Sequence, residues 1–261
     1  MASFDQVPGE LLNRIARFGR LYLLETVTST NDYAFSLAEK QEPAIVVAKQ
    51  QTRGRGRFRR RWFADENSLI FSLLLFPESN PPTLPRSPAT ITQLAGLALC
   101  QVIENLPLTT NSRPLPKPML RWPNDVLLEG KKVAGILCEQ RRKALVLGVG
   151  VNVNQSIIPQ NLPDATSLFL SYHQKFDQLQ LLELFLNNIF SILTKLGSDT
   201  KTIWDEIRTH SAILNHRVEI KTLLRCHLGM MIDIDDEGRL ILRTDSGKLV
   251  VFSAGQVRQL R

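Results

Sequence analysis

The sequence is short of the residues that build metal centres and disulfide scaffolds. Its three cysteines, Cys100, Cys138 and Cys226, are odd in number and far apart, which excludes a disulfide framework and the paired spacings of zinc sites. Four scattered histidines form no H-x-x-x-H pair, so a metal held by protein ligands alone is not expected. Long apolar runs are missing too. Stretches such as residues 73–76 (LLLF) fall far below the roughly 20 residues that cross a bilayer, which argues against a membrane partner. The chain opens Met-Ala-Ser-Phe-Asp-Gln, without the basic and apolar regions of a secretory signal, and a cytoplasmic setting is the expectation. Internal repeats and low-complexity tracts are absent. With 261 residues, 43% of them hydrophobic, the chain can bury a full core without covalent staples.

Acidic residues are absent from 49–61, where Lys49, Arg53, Arg55, Arg57, Arg59, Arg60 and Arg61 stand; these seven equal the whole net excess of +7. The rest of the chain is neutral overall. One basic loop on a neutral body points to a local anion site rather than to a generally basic surface.

Hydrophobic periodicity predicts a short amphipathic helix over 10–19 and a strand over 21–27. Thr28, Ser29 and Thr30 offer caps for a helix running to about Lys40. Strands are expected at 44–50 and 67–76, then a loop at 77–88 that holds five prolines and cannot be regular. A buried-face helix over 90–104 leads to a second proline-containing loop, 106–118. Strands follow at about 119–122, 125–128, 131–138 and 144–153, then helices at 176–196 and 201–210. From 216 onward short strands alternate with turns at Asp236-Glu237-Gly238 and Asp245-Ser246-Gly247, which predicts a small all-β unit.

Four local patterns carry chemistry. In Gln51-Thr52-Arg53-Gly54-Arg55-Gly56-Arg57 and on to Trp62, alternate glycines let backbone N–H groups approach a ligand, while arginines supply paired donors for phosphate or carboxylate. No Walker A pattern is present, and alone the run fits nucleic-acid contact or plain solvation equally well. In Trp122-Pro123-Asn124-Asp125 with Lys131-Lys132-Val133-Ala134-Gly135, a two-residue turn at Glu129-Gly130 would pair Leu127 with Lys132 and Asp125 with Ala134. Asp125 and Lys132 would then share a face, diagonally about 7–8 Å apart between backbones; a surface ion pair would look the same. Residues 148–154 (GVGVNVN) alternate cleanly. Valines line one side; Gly148, Gly150, Asn152 and Asn154 line the other, suiting either a flat ligand or a closely packed helix. Ser29-Thr30-Asn31 lies at a strand-to-helix junction, where it can cap the helix or bind a small polar group.

Together these motifs resemble the biotin protein ligase family, also called biotin–[acetyl-CoA-carboxylase] ligases. The matches are S-T-N at 29–31, Q-T-x-G-R-G-R at 51–57 with Trp62, W-P-N-D at 122–125, K-V-A-G-I at 132–136 and G-V-G-V-N-V-N at 148–154, in the family's order and spacing. Residues 20–170 carry the resemblance strongly; 216–261 resemble its SH3-like C-terminal domain more weakly.

The resemblance implies an α+β fold: a mixed-sheet catalytic domain flanked by helices over 1–210, and a small SH3-like β-barrel over 211–261. It implies ATP-dependent attachment of biotin to a lysine of a biotin carboxyl carrier protein through biotinyl-5′-AMP. Biotin would be held by Ser29, Thr30, Asn31, Gln51, Arg55, Gly56, Arg57, Lys132, Gly148 and Gly150. ATP or the adenylate would meet Arg55, Arg57, Trp62, Asn124, Lys132, Asn152 and Asn154, with a transient Mg²⁺ near Asn124. Lys132, Arg57 and Asp125 would carry the catalysis. Only one helix fits before the first strand, whereas a helix-turn-helix needs two, so specific DNA binding is not expected; a homodimer is compatible with the sequence. Two positions depart from the family: Arg59 replaces a usual glycine, which would burden loop closure if that residue must be left-handed, and Arg121 replaces a usual lysine. The rival readings are a lipoate or octanoate ligase or transferase of the same fold class, and a nucleic-acid-binding protein using the 49–61 loop.

Overall fold

A computed structural model describes residues 4–77, 84–108, 115–222 and 225–260. Parts of the two proline-containing loops anticipated at 77–88 and 106–118 lie outside the described residues. Strands β1 (Arg20–Val27), β2 (Ala44–Gln51), β3 (Ser68–Leu75), β4 (Met119–Arg121), β5 (Asp125–Leu128), β6 (Lys131–Arg141) and β7 (Ala144–Asn152) form one sheet in the order β1-β2-β3-β7-β6-β5-β4. The β1–β2 pair is parallel and the others antiparallel, which makes the sheet mixed.

Both faces of its centre are covered. Every residue of β3 and β7 is buried, as expected for strands with layers on both sides. One face carries helix α3 (Pro88–Glu104), buried without interruption from Thr90 to Cys100. It is enclosed by the sheet, by α5 (Gln178–Lys195) and by α6 (Thr200–His210). Helix α1 (Gly9–Ala16) buries Leu11 and Ile15 and packs on α5. The opposite face carries α2 (Thr30–Ser36), whose Ala34 packs on Ala44, Val46 and Leu74.

Two elements differ from the sequence reading. Helix α2 stops at Ser36 rather than Lys40: a separate tight turn, Ala38–Lys40, ends on left-handed Gln41 (φ 52°), two residues before Pro43 redirects the chain into β2. Helix α4 (Leu168–Tyr172) was not anticipated. Its five residues are too few for a periodic signal, and Ser167 caps it by accepting from the Leu170 N–H at 3.0 Å.

The C-terminal segment forms an antiparallel sheet of β8 (Arg217–Lys221), β9 (Cys226–Ile234), β10 (Leu240–Thr244), β11 (Leu249–Phe252) and β12 (Gln256–Gln259), in the order β11-β10-β9-β8-β12. It is fastened to the larger sheet through its 235–238 turn. The Trp122 indole N–H donates to the Gly238 carbonyl at 2.9 Å, and the Thr90 hydroxyl donates to the Glu237 carbonyl at 2.9 Å. Arg208 on α6 adds ion pairs to Asp233 and Asp236. Trp122, only 2% exposed, therefore serves the packing of the two sheets while its neighbours Asn124 and Asp125 face a cavity. Trp122→Ala is expected to cost about 3–5 kcal/mol, the usual loss for a large aromatic removed from a core; urea denaturation of the purified variant measures it.

Candidate active site

A cavity of about 600 Å³ opens over β6 and β7. It is walled by the 55–63 loop, the 155–165 segment and the inner edge of β8 and β12. Among the described residues eight basic side chains line it against three acidic ones, so it favours an anion.

One end is a corner of hydroxyls and amides built by the start of α2. The Ser29 side chain caps the helix by accepting from the Asp32 N–H at 3.4 Å. The Thr30 N–H donates to Gln51 Oε1 at 2.7 Å, which fixes the amide of a residue that lines the cavity. Ser72, fully buried on β3, donates to Asn31 Oδ1 at 2.7 Å, and Asn31 Nδ2 donates to Glu139 at 2.7 Å. Asn31 is thus engaged at both ends and organises the corner. The glycine face is not open space. A Cβ on Gly148 would overlap the Asn31 amide, and one on Gly150 would overlap the Trp62 indole. The bare backbone anticipated beneath a flat ligand instead receives these two protein side chains.

The other end holds Lys132. Its Nζ lies 2.5 Å from Asp125 Oδ1, while Arg121 Nη2 lies 2.8 Å from Asp125 Oδ2. The pairing differs from the regular hairpin expected. Leu127 faces Lys132, but Asp125 faces Gly135, not Ala134, because the register shifts between Val126 and Leu127. A bulge places an extra residue on β6 and kinks it. Lys132 consequently folds back over Gly135, where an added Cβ would sit 3.0 Å from its Nζ and 3.0 Å from Trp62. The bulge is held from outside: the Lys132 N–H donates to Asp164 O and its carbonyl accepts from the Thr166 N–H.

The arginine–glycine loop is a closed hairpin. The Trp62 N–H donates to Gly54 O, the Gly56 N–H to Arg60 O, and Arg55 bridges Arg61. Its tip is the tight turn Arg57–Arg59, in which Phe58 is left-handed at φ 55°. The strained position is therefore Phe58 and not Arg59, whose backbone stays within the turn. Arg57 points into the cavity. Burial lowers its guanidinium pKa, opposed weakly by Asp125, and no carboxylate among the described residues is within ion-pair distance of it. Arg60 Nη2 reaches Gln256 of β12 at 3.0 Å.

The structure gathers nearly all the residues singled out from sequence around this one cavity: Ser29, Thr30, Asn31, Gln51, Arg55, Gly56, Arg57, Trp62, Asn124, Asp125, Lys132, Gly148, Gly150 and Asn152. Asn154 is the exception. Strand β7 ends at Asn152, so the alternation stops there, and the Asn154 amide clamps both backbone groups of Phe176. Asn124 lines the cavity, but its amide nitrogen donates to Ile136 O at 3.0 Å. Sequence reasoning missed Ser72, Glu139, Asp32 and Gln155. Ser72 and Glu139 are single residues inside apolar or mixed strands and carry no motif. Gln155 is 5% exposed and lines the cavity with a buried, unpartnered Oε1.

Residues 23–156 match the model of the Biotin/lipoate A/B protein ligase family, and residues 213–257 match the Biotin protein ligase C terminal domain. The chain is 31% identical to the bifunctional ligase/repressor BirA of Bacillus subtilis, across 95% of this chain and 79% of that protein. It is 32% identical to the biotin–[acetyl-CoA-carboxylase] ligase of Mycobacterium tuberculosis, across 83% of this chain and 79% of that one. Its fold is similar to the biotin protein ligase from Aquifex aeolicus solved with biotin and ATP: the TM-score is 0.77 at 28% identity, covering 93% of this chain and 99% of that chain.

Two substitutions test the local geometry. Gly148→Ala should displace the Asn31 amide and cost about 1–3 kcal/mol by overpacking, read as a lowered urea midpoint. Phe58→Gly should stabilise by up to about 1 kcal/mol, because glycine adopts the left-handed backbone without strain, whereas Arg59→Gly should bring no gain in the same assay.

Proposed function

The chain belongs to the biotin/lipoate A/B protein ligase family, and from that premise we propose that it activates biotin with ATP and transfers it to a lysine of a biotin carboxyl carrier protein. In the first step a biotin carboxylate oxygen attacks the α-phosphorus of ATP, and pyrophosphate leaves. In the second the acceptor lysine attacks the acyl carbon of biotinyl-5′-AMP, and AMP leaves. Neither the carboxylate nor the leaving pyrophosphate needs a proton donor, so positioning and charge stabilisation dominate the first step.

The observation that carries this reading is the pairing of two cations in one cavity with the hydroxyl–amide corner. Arg57 is desolvated, with Asp125 acting on it only from beyond ion-pair distance, a poor arrangement unless an anion arrives. Lys132 is held over the same cavity by Asp125. Two anionic groups, a carboxylate and an α-phosphate, must approach each other here, and Arg57 and Lys132 offset their repulsion. Asp125 orients Lys132, and Arg121 shares the charge of Asp125. At the corner, the Ser29 hydroxyl and Gln51 Nε2 can donate to the ureido oxygen of biotin, and Thr30 contributes a hydroxyl.

Trp62 and Asn152 line the same cavity, which supports placing the nucleotide beside them. Among the described residues no cluster of three metal-ligating side chains is present. Mg²⁺ would therefore arrive on the triphosphate, held mainly by phosphate oxygens and water, with Asn124 and Asp125 the nearby oxygen donors. The match of residues 213–257 to a biotin ligase domain favours biotin over lipoate. Nucleic-acid binding by the basic loop is disfavoured because Arg55 and Arg60 are tied down within the protein. Among the described residues no helix is long and apolar enough to cross a membrane.

Lys132→Ala should reduce biotin-dependent ATP–pyrophosphate exchange by about 10²-fold or more while leaving the urea midpoint near that of the unmodified protein. Exchange at the normal rate with saturating substrates would remove Lys132 from the chemistry. Exchange supported by lipoate but not biotin would replace the substrate assigned here.

A further inference from the structure

Arg55 is the arginine of the basic run whose charge is already matched. Its Nη1 donates to Asp32 Oδ2 and its Nη2 to Asp32 Oδ1, both at 2.8 Å, a two-bond fork. Its Nη2 also lies 3.5 Å from Glu139 Oε2. Asp32 stands in the first turn of α2, and Arg141 approaches it at 3.2 Å. Glu139 is the acceptor that holds buried Asn31. The guanidinium therefore ties the first leg of the loop hairpin to α2 and β6, the elements that build the hydroxyl–amide corner.

We propose that Arg55 is a positioning residue, the loop half of a latch with Asp32 and Glu139, and not a ligand to the substrate anions. Three features separate the two roles. Arg55 and Arg141 face Asp32 and Glu139, so the cluster is neutral and adds no net attraction for an anion. An anion could recruit Arg55 only by breaking the two-bond fork, whereas Arg57, two residues on, has no such partner. The hairpin bonds Trp62 to Gly54 and Gly56 to Arg60 pass the fixation of the first leg to the second, so that Trp62 rests on Gly150 and Arg57 faces the cavity. Both partners of the Arg55–Asp32 fork are more than a third exposed, where single ion pairs contribute little; the fork geometry and the shared network raise the contribution.

The identity of the retained ligand rests on the biotin-activating reading, but the latch geometry does not. Hydrogen exchange of the segment 54–62 in ligand-free protein and the release rate of preformed biotinyl-5′-AMP form the two arms of the test. They are applied to Asp32→Asn, Arg55→Gln, Arg55→Lys and the Asp32→Asn/Arg55→Gln double variant. Each single substitution should speed both processes by about threefold to tenfold, with the double no faster than the faster single, because the residues act as one unit. Arg55→Lys lies on an exposed loop and keeps the charge but not the fork, so it should behave like Arg55→Gln. Normal release from Arg55→Lys and Asp32→Asn, with fast release from Arg55→Gln alone, would make Arg55 an anion ligand and overturn the latch. Additive effects, or unchanged exchange in Asp32→Asn, would overturn it too. If the unmodified protein forms no adenylate, the biotin reading fails while the ligand-free exchange still decides the latch.

Discussion

Like charges repel, and this protein concentrates them: among the described residues eight cationic side chains line one cavity against three acidic ones. In walls of low polarity that repulsion is screened less than in water. The structure holds the cations in place by dividing them into two groups. Arg55 is paired with Asp32, Arg121 with Asp125, and Arg60 is bonded to Gln256. Among the described residues Arg57 has no carboxylate at ion-pair distance, and Lys132 shares one with Arg121. Positive charge therefore remains in excess on the cavity wall, and Arg57 and Lys132 carry part of it. Electrostatic preorganisation of this kind requires a scaffold that tolerates the strain before the anion is bound. The deep mixed sheet and the clamped bulge at Lys132 provide it.

Much of this was legible in the sequence because it is written locally. The acid-free stretch 49–61, the valine–glycine alternation of 148–153 and the tight turn at Glu129-Gly130 each announce a loop, a strand face or a hairpin from neighbouring residues alone. What was not legible depends on residues distant in the chain. The bulge that pairs Asp125 with Gly135 is fixed by the backbone of Asp164 and Thr166, some thirty residues on. Ser72 and Glu139 gain meaning only when β3, β6 and α2 bring them to Asn31. Asn154 was misread for the complementary reason. Alternation predicts a side only while the strand lasts, and β7 ends two residues earlier.

The glycines show how a pattern that suits a ligand also admits side chains of the protein itself. Gly135, Gly148 and Gly150 do mark a face where side chains cannot be tolerated. The atoms that exclude a Cβ, however, belong to Lys132, Asn31 and Trp62. The glycines allow these three side chains to lie close to the sheet. The Trp62 indole also leaves its N–H buried without an acceptor, a costly arrangement for a polar group.

That unsatisfied donor, the unpartnered Gln155 Oε1 and Arg57, which has no ion-pair partner among the described residues, all border one cavity. A fold selected for stability alone would satisfy such groups within the protein. Of the three such atoms among the described residues, the third, Trp204 Nε1, lies away from the cavity, whereas these two border it beside Arg57, and Arg55 next to them is already paired with Asp32. Such pairing explains how a loop this basic can be folded before its anion arrives. Arg55 is anchored to α2 and Arg60 to β12, which offsets part of that repulsion, and Arg57 at the tip faces the cavity.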